Sequence, residues 1–205
     1  EAAGMDSESP LLTASGQQAL QDLCATWRRP HLVLRFIQIH QKDRVVRSLA
    51  SRMLRALLGD GESLQDLRFK DPRNAAVFQL LTAEQRELWM QPAALPGSSK
   101  AEDLFMVGED SGTCLAINDK NKGQNRALLG YCAQGNVRLA LLNGDGGSGG
   151  ASRCRAVIRL VLASDGSREQ PALFLERAYA FAGAEPGDQD LVELRNQARH
   201  VAGRM

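Results

Sequence analysis

Apolar residues recur at helical spacing through the first half of this chain and alternate with polar ones through the second. Leu20, Leu23, Cys24 and Trp27 share one helical face within Gln17 to Arg28. Pro30 ends that run and can open the next at its first position, with Leu32, Phe36 and Ile39 among the apolar sites of His31 to Gln41. Asp43 is placed to cap a third helix to Leu58, whose stripe is Val45, Val46, Leu49, Met53, Ala56 and Leu57, and Gly59 is a stop. Asp71-Pro72 predicts a short helix to about Leu81. Thr82 and Gln85 have capping-box spacing for a last one reaching Trp89.

Past residue 100 the period falls from 3.6 to 2, after a short helical turn over Ala101 to Val107. The alternation predicts strands at Thr113–Ile117, Arg126–Ala133, Asn136–Asn143, Arg153–Ala163 and Pro171–Ala180. Gln134-Gly135 has tight-hairpin spacing between the second and third, and Ser164-Asp165-Gly166 sits between the fourth and fifth. Asp188 to about Val201 reads as an amphipathic helix with Leu191, Leu194 and Ala198 inward. The expected class is α+β: an N-terminal helical bundle followed by an antiparallel β-sheet covered by a C-terminal helix.

The expected organisation is a disordered lead-in over 1–15, a helical region over 16–91, a linker over 92–102 and the sheet-plus-helix domain over 103–205. Pro92 to Lys100 (PAALPGSSK) has the turn-rich composition of a linker. The run 143–150 (NGDGGSGG) is a low-complexity loop and lacks the closing Lys-Ser/Thr pair of a phosphate-binding P-loop. No apolar run approaches the roughly 20 residues of a membrane-spanning helix. The chain starts at Glu1, which reads as a piece of something longer or a processed product. The expected location is cytoplasmic, or secreted by a route whose signal lies outside this sequence.

Composition adds little beyond exclusions. Residues 1–110 hold 13 basic and 15 acidic side chains and residues 111–205 hold 12 and 9, too even a balance for strong nucleic-acid attraction. Aromatic content of 5% argues against an RNA-stacking platform. Cys24, Cys114, Cys132 and Cys154 form no C-x-x-C pair, so no metal site is expected, and no cofactor signature is present. Arginine outnumbers lysine 20 to 5, which fits GC-rich coding or selection for bidentate anion contacts.

Three arginines give the leading chemical candidate. Alternation in the 153–163 strand sets Cys154, Ala156, Ile158, Leu160 and Leu162 on one side and Arg153, Arg155 and Arg159 on the other. Arg138 and Arg177 lie on neighbouring strands whose registers could bring them to the same side. Clustered guanidiniums suit an acidic protein surface or a phosphorylated ligand. The bland counterpart is a solvated sheet face. The catalytic candidates are Cys114, with His200 as base and Glu176 or Asp190 as orienter; a buried structural cysteine is the bland alternative. Arg44, Arg47, Arg52 and Arg55 line one arc of the third helix, as a solvated face or a membrane- or nucleic-acid-facing one. His31 and His40 read as packing or surface residues, Trp27 and Trp89 as core anchors.

The run Cys154–Leu162, Pro171–Tyr179 and the final helix resembles part of the GNAT acyltransferase fold in its order of meandering strands and covering helix. That resemblance would imply backbone groups holding an acyl-CoA pyrophosphate, but the family's turn, Arg/Gln-x-x-Gly-x-Gly/Ala, is absent here. The pattern TCLAI…NRALLGY…GNVRLALL…CRAVIRLVL…PALFLERAY also looks like domains of large bacterial effector-type proteins. The expected function is therefore a binding or interaction module of a larger bacterial, effector-type protein, using an arginine-lined sheet face. The alternative is a transferase-like or cysteine-dependent enzyme centred on Cys114.

Overall fold

A computed structural model describes residues 29–57, 68–69, 72–91, 94–110, 112–143, 152–181 and 184–205. The lead-in 1–15, the helix expected over Gln17 to Arg28 and the glycine-rich run 144–150 lie outside the described residues. In chain order the helices are α1 (Pro30–His40), α2 (Arg44–Leu57), α3 (Pro72–Gln79), α4 (Ala83–Met90), α5 (Ala101–Met106), α6 (Lys122–Asn125), α7 (Ala127–Ala133) and α8 (Asp188–Arg204). The strands are β1 (Val137–Asn143), β2 (Ser152–Ser164), β3 (Glu169–Leu175) and β4 (Tyr179–Ala180). The class is α+β, with a four-stranded antiparallel sheet and a C-terminal helix packed on it. Among the described residues no helix is long and apolar enough to cross a membrane.

Local chemistry sets the element ends. Pro30 occupies the first turn of α1, where its missing N–H costs nothing. The Asp43 carboxylate accepts from the N–H groups of Val45 and Val46 at 2.9 and 3.1 Å, capping α2. Thr82 and Gln85 form the expected capping box of α4, with reciprocal bonds of 3.1 and 2.9 Å. The Ser164-Asp165-Gly166 turn joins β2 to β3 as predicted. Gly166 sits at φ +90°, and Asp165 Oδ1 accepts from the N–H of Ser167 and Arg168 and from the Ser167 hydroxyl. Those bonds, the Ser167 N–H foremost, pull the Asp165 carboxyl down to about 2.

β2 is the central strand, with β1 on one edge and β3 followed by β4 on the other. Both faces of the sheet are covered. On one, Val137, Leu139 and Val157 pack against Val33 and Phe36 of α1, Val46 of α2, Leu104 and Phe105 of α5, and Leu128 and Cys132 of α7. On the other, Ala140, Ala156, Ile158 and Leu160 meet Val77 and Phe78 of α3, Trp89 of α4, and Leu194 and Val201 of α8. Trp89 is a core anchor as expected, and its indole N–H donates to Gly135 O at 2.8 Å. Each such buried large side chain contributes about 1.5–3 kcal/mol through removal from water.

The helices of the first half thus pack on both faces of the sheet, and the expected boundary at 92–102 does not divide the cores. Where it is described, this stretch is part of the fold rather than a linker. Ser98 and Leu139 exchange two backbone hydrogen bonds of 2.8 and 2.7 Å along the free edge of β1. Gly97 beside them has φ +81°, and a Cβ there would lie 2.1 Å from Leu139 O.

Two of the five expected strands are corrected. Arg126–Ala133 is helical: Leu128, Leu129, Cys132 and Ala133 are buried at i, i+1, i+4 and i+5, a helix stripe that a short apolar run cannot distinguish from a strand. Gln134-Gly135 therefore links a helix to a strand and is no hairpin. Thr113–Ile117 is a compact turn. Asn125 donates to the carbonyls of Ala116 and Asn118, Asn121 donates to that of Thr113, and His40 bonds Asn125 Oδ1 at 2.6 Å. Backbone groups that a strand partner would have satisfied are satisfied by amides instead. The meander behind the GNAT resemblance shortens accordingly to three strands and the two-residue β4.

Candidate functional site

A cavity of about 90 Å³ opens on the α7 side of the sheet. Cys114 and Leu115 reach it from the 112–117 turn, Tyr131 from α7, Leu139 from β1, and Arg155 and Val157 from β2. Glu176 and Arg177 reach it from the segment after β3, and Tyr179 from β4. That segment is a bulge. Ile158 pairs with Leu175 and Arg155 with Tyr179, so Ala156 and Val157 face three residues, Glu176, Arg177 and Ala178. Only the Glu176 N–H bonds back, to Val157 O at 2.8 Å. The strand expected over Pro171–Ala180 is thus real but interrupted, and its interruption forms one wall of the cavity.

Arg155 forms the floor. It is 4% exposed, donates to Asp110 Oδ2 at 3.2 Å and to Val107 O at 3.1 Å, and its Nε has no hydrogen-bond partner among the described residues. Asp110 is held in turn by the Gly112 N–H at 3.0 Å. Arg159 lies to one side, paired with Glu176, bonded to Gln134 Oε1 at 2.9 Å and stacked 5.0 Å from the Tyr131 ring centre. The Tyr131 hydroxyl donates to the other Glu176 oxygen at 3.2 Å. Burial, and next the neighbouring Glu176 charge, raise the Tyr131 pKa against the opposing pull of Arg159, so the phenol stays a donor at neutral pH. Arg177 stands at the mouth over the Tyr179 ring, its bond to Glu185 2.8 Å long and both side chains mostly exposed, 67% and 79%.

The five candidate arginines do not share one surface. Arg138 pairs with Ile158, on the opposite face from Arg155 and Arg159, and is fully buried. It donates to Trp89 O at 3.2 Å and Leu95 O at 3.0 Å and lies over the Trp89 ring. Burial, with repulsion from Arg68 second, lowers its pKa to about 10, which leaves it charged at neutral pH. Arg153 falls in a second bulge, where Asn143 pairs with Ser152 and Leu142 with Cys154. It makes ion pairs of 2.8 and 2.9 Å with Asp190 and Glu193 of α8. Arg155 and Arg177 line the cavity, Arg159 lies beside it on Glu176, and an arginine-lined open face is replaced by that smaller group.

Of the catalytic candidates, Cys114 and Glu176 line the same cavity. His200 does not join them: it is exposed on α8, which packs through Leu194 and Val201 on the other side of the sheet. The expected Cys114–His200 pair is absent for that reason. Asp190, the other orienter considered, is engaged with Arg153. Cys114 is exposed, against the buried structural reading, whereas Cys132 and Cys154 are buried. No group of three His, Cys, Asp or Glu residues able to hold a metal occurs among the described residues. Tyr131, Tyr179 and Asp110 were not among the sequence candidates. Tyr131 is hidden by the strand reading of 126–133, and Asp110 counts as local acidity until its partner is seen. The chain matches no family model, no curated protein and no solved structure.

Proposed function

We propose that this chain is a binding and interaction module that seats one acidic or phosphorylated side chain of a partner protein in the cavity between Cys114, Tyr131, Arg155 and Arg177. The observation that carries it is the pair of arginines lining one small cavity, Arg155 at its floor and the exposed Arg177 at its mouth. Size supports the same reading. About 90 Å³ holds one carboxylate or phosphate group and falls well below the roughly 300–1,000 Å³ of a cofactor-sized site. Arg177 supplies the adjustable cation, because its exposed pair with Glu185 is worth only about 0–1 kcal/mol and can be exchanged for a ligand. Membership of a larger bacterial effector-type protein is part of this proposal and rests on the sequence pattern alone.

The test is a peptide array in which Asp, Glu, phosphoserine and phosphotyrosine are compared with neutral controls, followed by titration of the best binder. Arg177→Glu is expected to weaken binding at least about 5-fold, and Glu185→Gln to strengthen it by a few-fold, since it frees Arg177. Binding should also fall with added salt. Equal binding of neutral and acidic peptides would refute the reading. A cysteine-dependent activity is the second reading, supported by Cys114 and Glu176 lining one cavity. It predicts turnover that Cys114→Ser abolishes while peptide binding persists.

A further inference from the structure

We propose that the outer edge of β3 takes up an extended segment of a partner protein as an added antiparallel strand, in which an acidic residue precedes an apolar one by two positions. The inference rests on the acid-accepting reading of the neighbouring cavity and names the backbone form and side-chain order of what arrives there. Backbone direction decides which groups are open. The Leu160 N–H donates to Asn136 O at 2.9 Å and its carbonyl accepts from the Asn136 amide at 3.0 Å, so both point toward β1. Leu173 pairs with Leu160, and in an antiparallel ladder such a partner turns its own N–H and C=O the other way. Leu175, two residues on, does the same, whereas Glu176 turns inward and bonds Val157 O. No strand lies beyond this edge among the described residues. Pro171 falls in the same outward set and has no N–H to offer, which confines two-way pairing to the stretch from Leu173 toward the bulge. Open donors and acceptors in a row are a template for strand addition.

Side chains supply the order. Phe174 pairs with Arg159, so it stands on the α7 side of the sheet, and it is 56% exposed. The bulge brings Arg177 to that same side at the cavity mouth, where it has an exposed pair with Glu185 to give up. In an added antiparallel strand, the residue across from Phe174 and the residue two places before it also project to the α7 side. The first lies against the phenyl ring and the second reaches Arg177. The residue between them exchanges both backbone bonds with Leu175 and turns its side chain to the α8 face. The order acid, spacer, apolar follows from antiparallel pairing, the pattern of every strand pair in this sheet; a parallel guest would reverse it.

The probe is a short fluorescent peptide of threonines carrying one glutamate two positions before one phenylalanine, titrated against the full chain by anisotropy. It should bind at least about 5-fold more tightly than its glutamine analogue and than the peptide with glutamate and phenylalanine exchanged. N-methylation of the residue between them removes a backbone bond and should weaken binding at least about 5-fold, whereas N-methylation of the glutamate or the phenylalanine, whose N–H groups face solvent, should change it less than about 2-fold. Leu173→Pro should also weaken binding, and because the Leu173 N–H faces outward it breaks no bond to β2. Should that variant unfold, the methylated peptides on the unchanged chain decide the matter alone. N-methylation that acts equally at all three positions, or at none, overturns the inference. If the glutamate peptide still outbinds the glutamine one in that case, the acid-accepting cavity stands and only the added strand fails. A positional effect with equal binding of the two peptides instead refutes the acid-accepting cavity, and with it the residue order proposed here. A dimer seen by sedimentation that Leu173→Pro dissociates would assign the edge to a second copy of the chain and overturn the inference as well.

Discussion

Replacing Arg155 by Met tests the buried pair on which the cavity is built. The substitution keeps most of the aliphatic volume and removes the charge. Asp110, 2% exposed, is then left with the Gly112 N–H as its described donor, and Val107 O loses the Arg155 N–H. Removing one partner of a buried pair costs about 3–5 kcal/mol, because the remaining charge stays desolvated. For a chain of 205 residues a change of 1 kcal/mol moves Tm by about 2–4 °C, so the expected fall is about 6–20 °C. Urea and thermal unfolding followed by circular dichroism measure it. The double variant Asp110→Asn with Arg155→Met should be less damaging than the sum of the singles by about 1–3 kcal/mol, since neither charge is then stranded. A loss under about 1 kcal/mol for Arg155→Met, or strict additivity in the cycle, would mean that Arg155 and Asp110 do not meet in a dry environment. The floor of the cavity would then be misassigned.

Two further outcomes concern the cores. Arg138→Met should destabilise by about 3 kcal/mol or more in the same unfolding assay, because the carbonyls of Trp89 and Leu95 lose their donor in a dry core. Arg138→Lys should recover little of it, since one ammonium cannot reproduce the planar fork. Burial pushes the Cys132 thiol up to about 12 from its ordinary 9.0. The unfolded chain therefore ionises first as pH rises, and stability present below pH 9 is lost between 9 and 12 at up to about 1.4 kcal/mol per unit. Cys132→Ala should remove that part of the alkaline slope, measured as urea midpoints across the range. An unchanged slope would place the thiol in water.

Much of this arrangement is legible in the residues, because local chemistry specifies it. Asp43, the Thr82–Gln85 box, Pro30 and the Ser164-Asp165-Gly166 turn act within four residues of themselves, and each does what its type predicts. The alternation of 153–163 identifies the central strand and its apolar side. What alternation cannot report is whether the other side meets solvent or a helix. The odd positions run Arg153, Arg155, Val157, Arg159, Val161, and Val157 lies in a core shared with α5 and α7. A valine between arginines is the available signal that this side is covered. Arg155 is then a buried group that needs an acid, and Asp110 supplies it from 45 positions away. Separations of that kind leave no local pattern. The same holds for α7, whose four buried residues fit either period until the sheet is seen to need a cover.

The cavity depends on parity more than on any one side chain. Leu175 pairs with Ile158, on the face that packs against α3, α4 and α8. Continued without interruption, the strand would set Glu176 opposite Val157, Arg177 opposite Ala156, Ala178 opposite Arg155 and Tyr179 opposite Cys154. Tyr179 would then point toward the α8 side. The one extra residue shifts the register so that Tyr179 pairs with Arg155 and Ala180 with Cys154. Because side chains alternate with a period of two, that shift carries Tyr179 to the Arg155 face, where it lines the cavity beside Arg177. Leu142 and Asn143 carry a second shift, and it takes Arg153 out of the row of arginines and gives it to the acids of α8. One irregularity thus gathers an aromatic and a cation at the cavity mouth, and the other removes a cation from its neighbourhood. An arginine row counted at every second position includes Arg153 and omits Tyr179, which is why spacing alone points to a flat basic face where the folded chain has a small, mixed and mostly neutralised cavity.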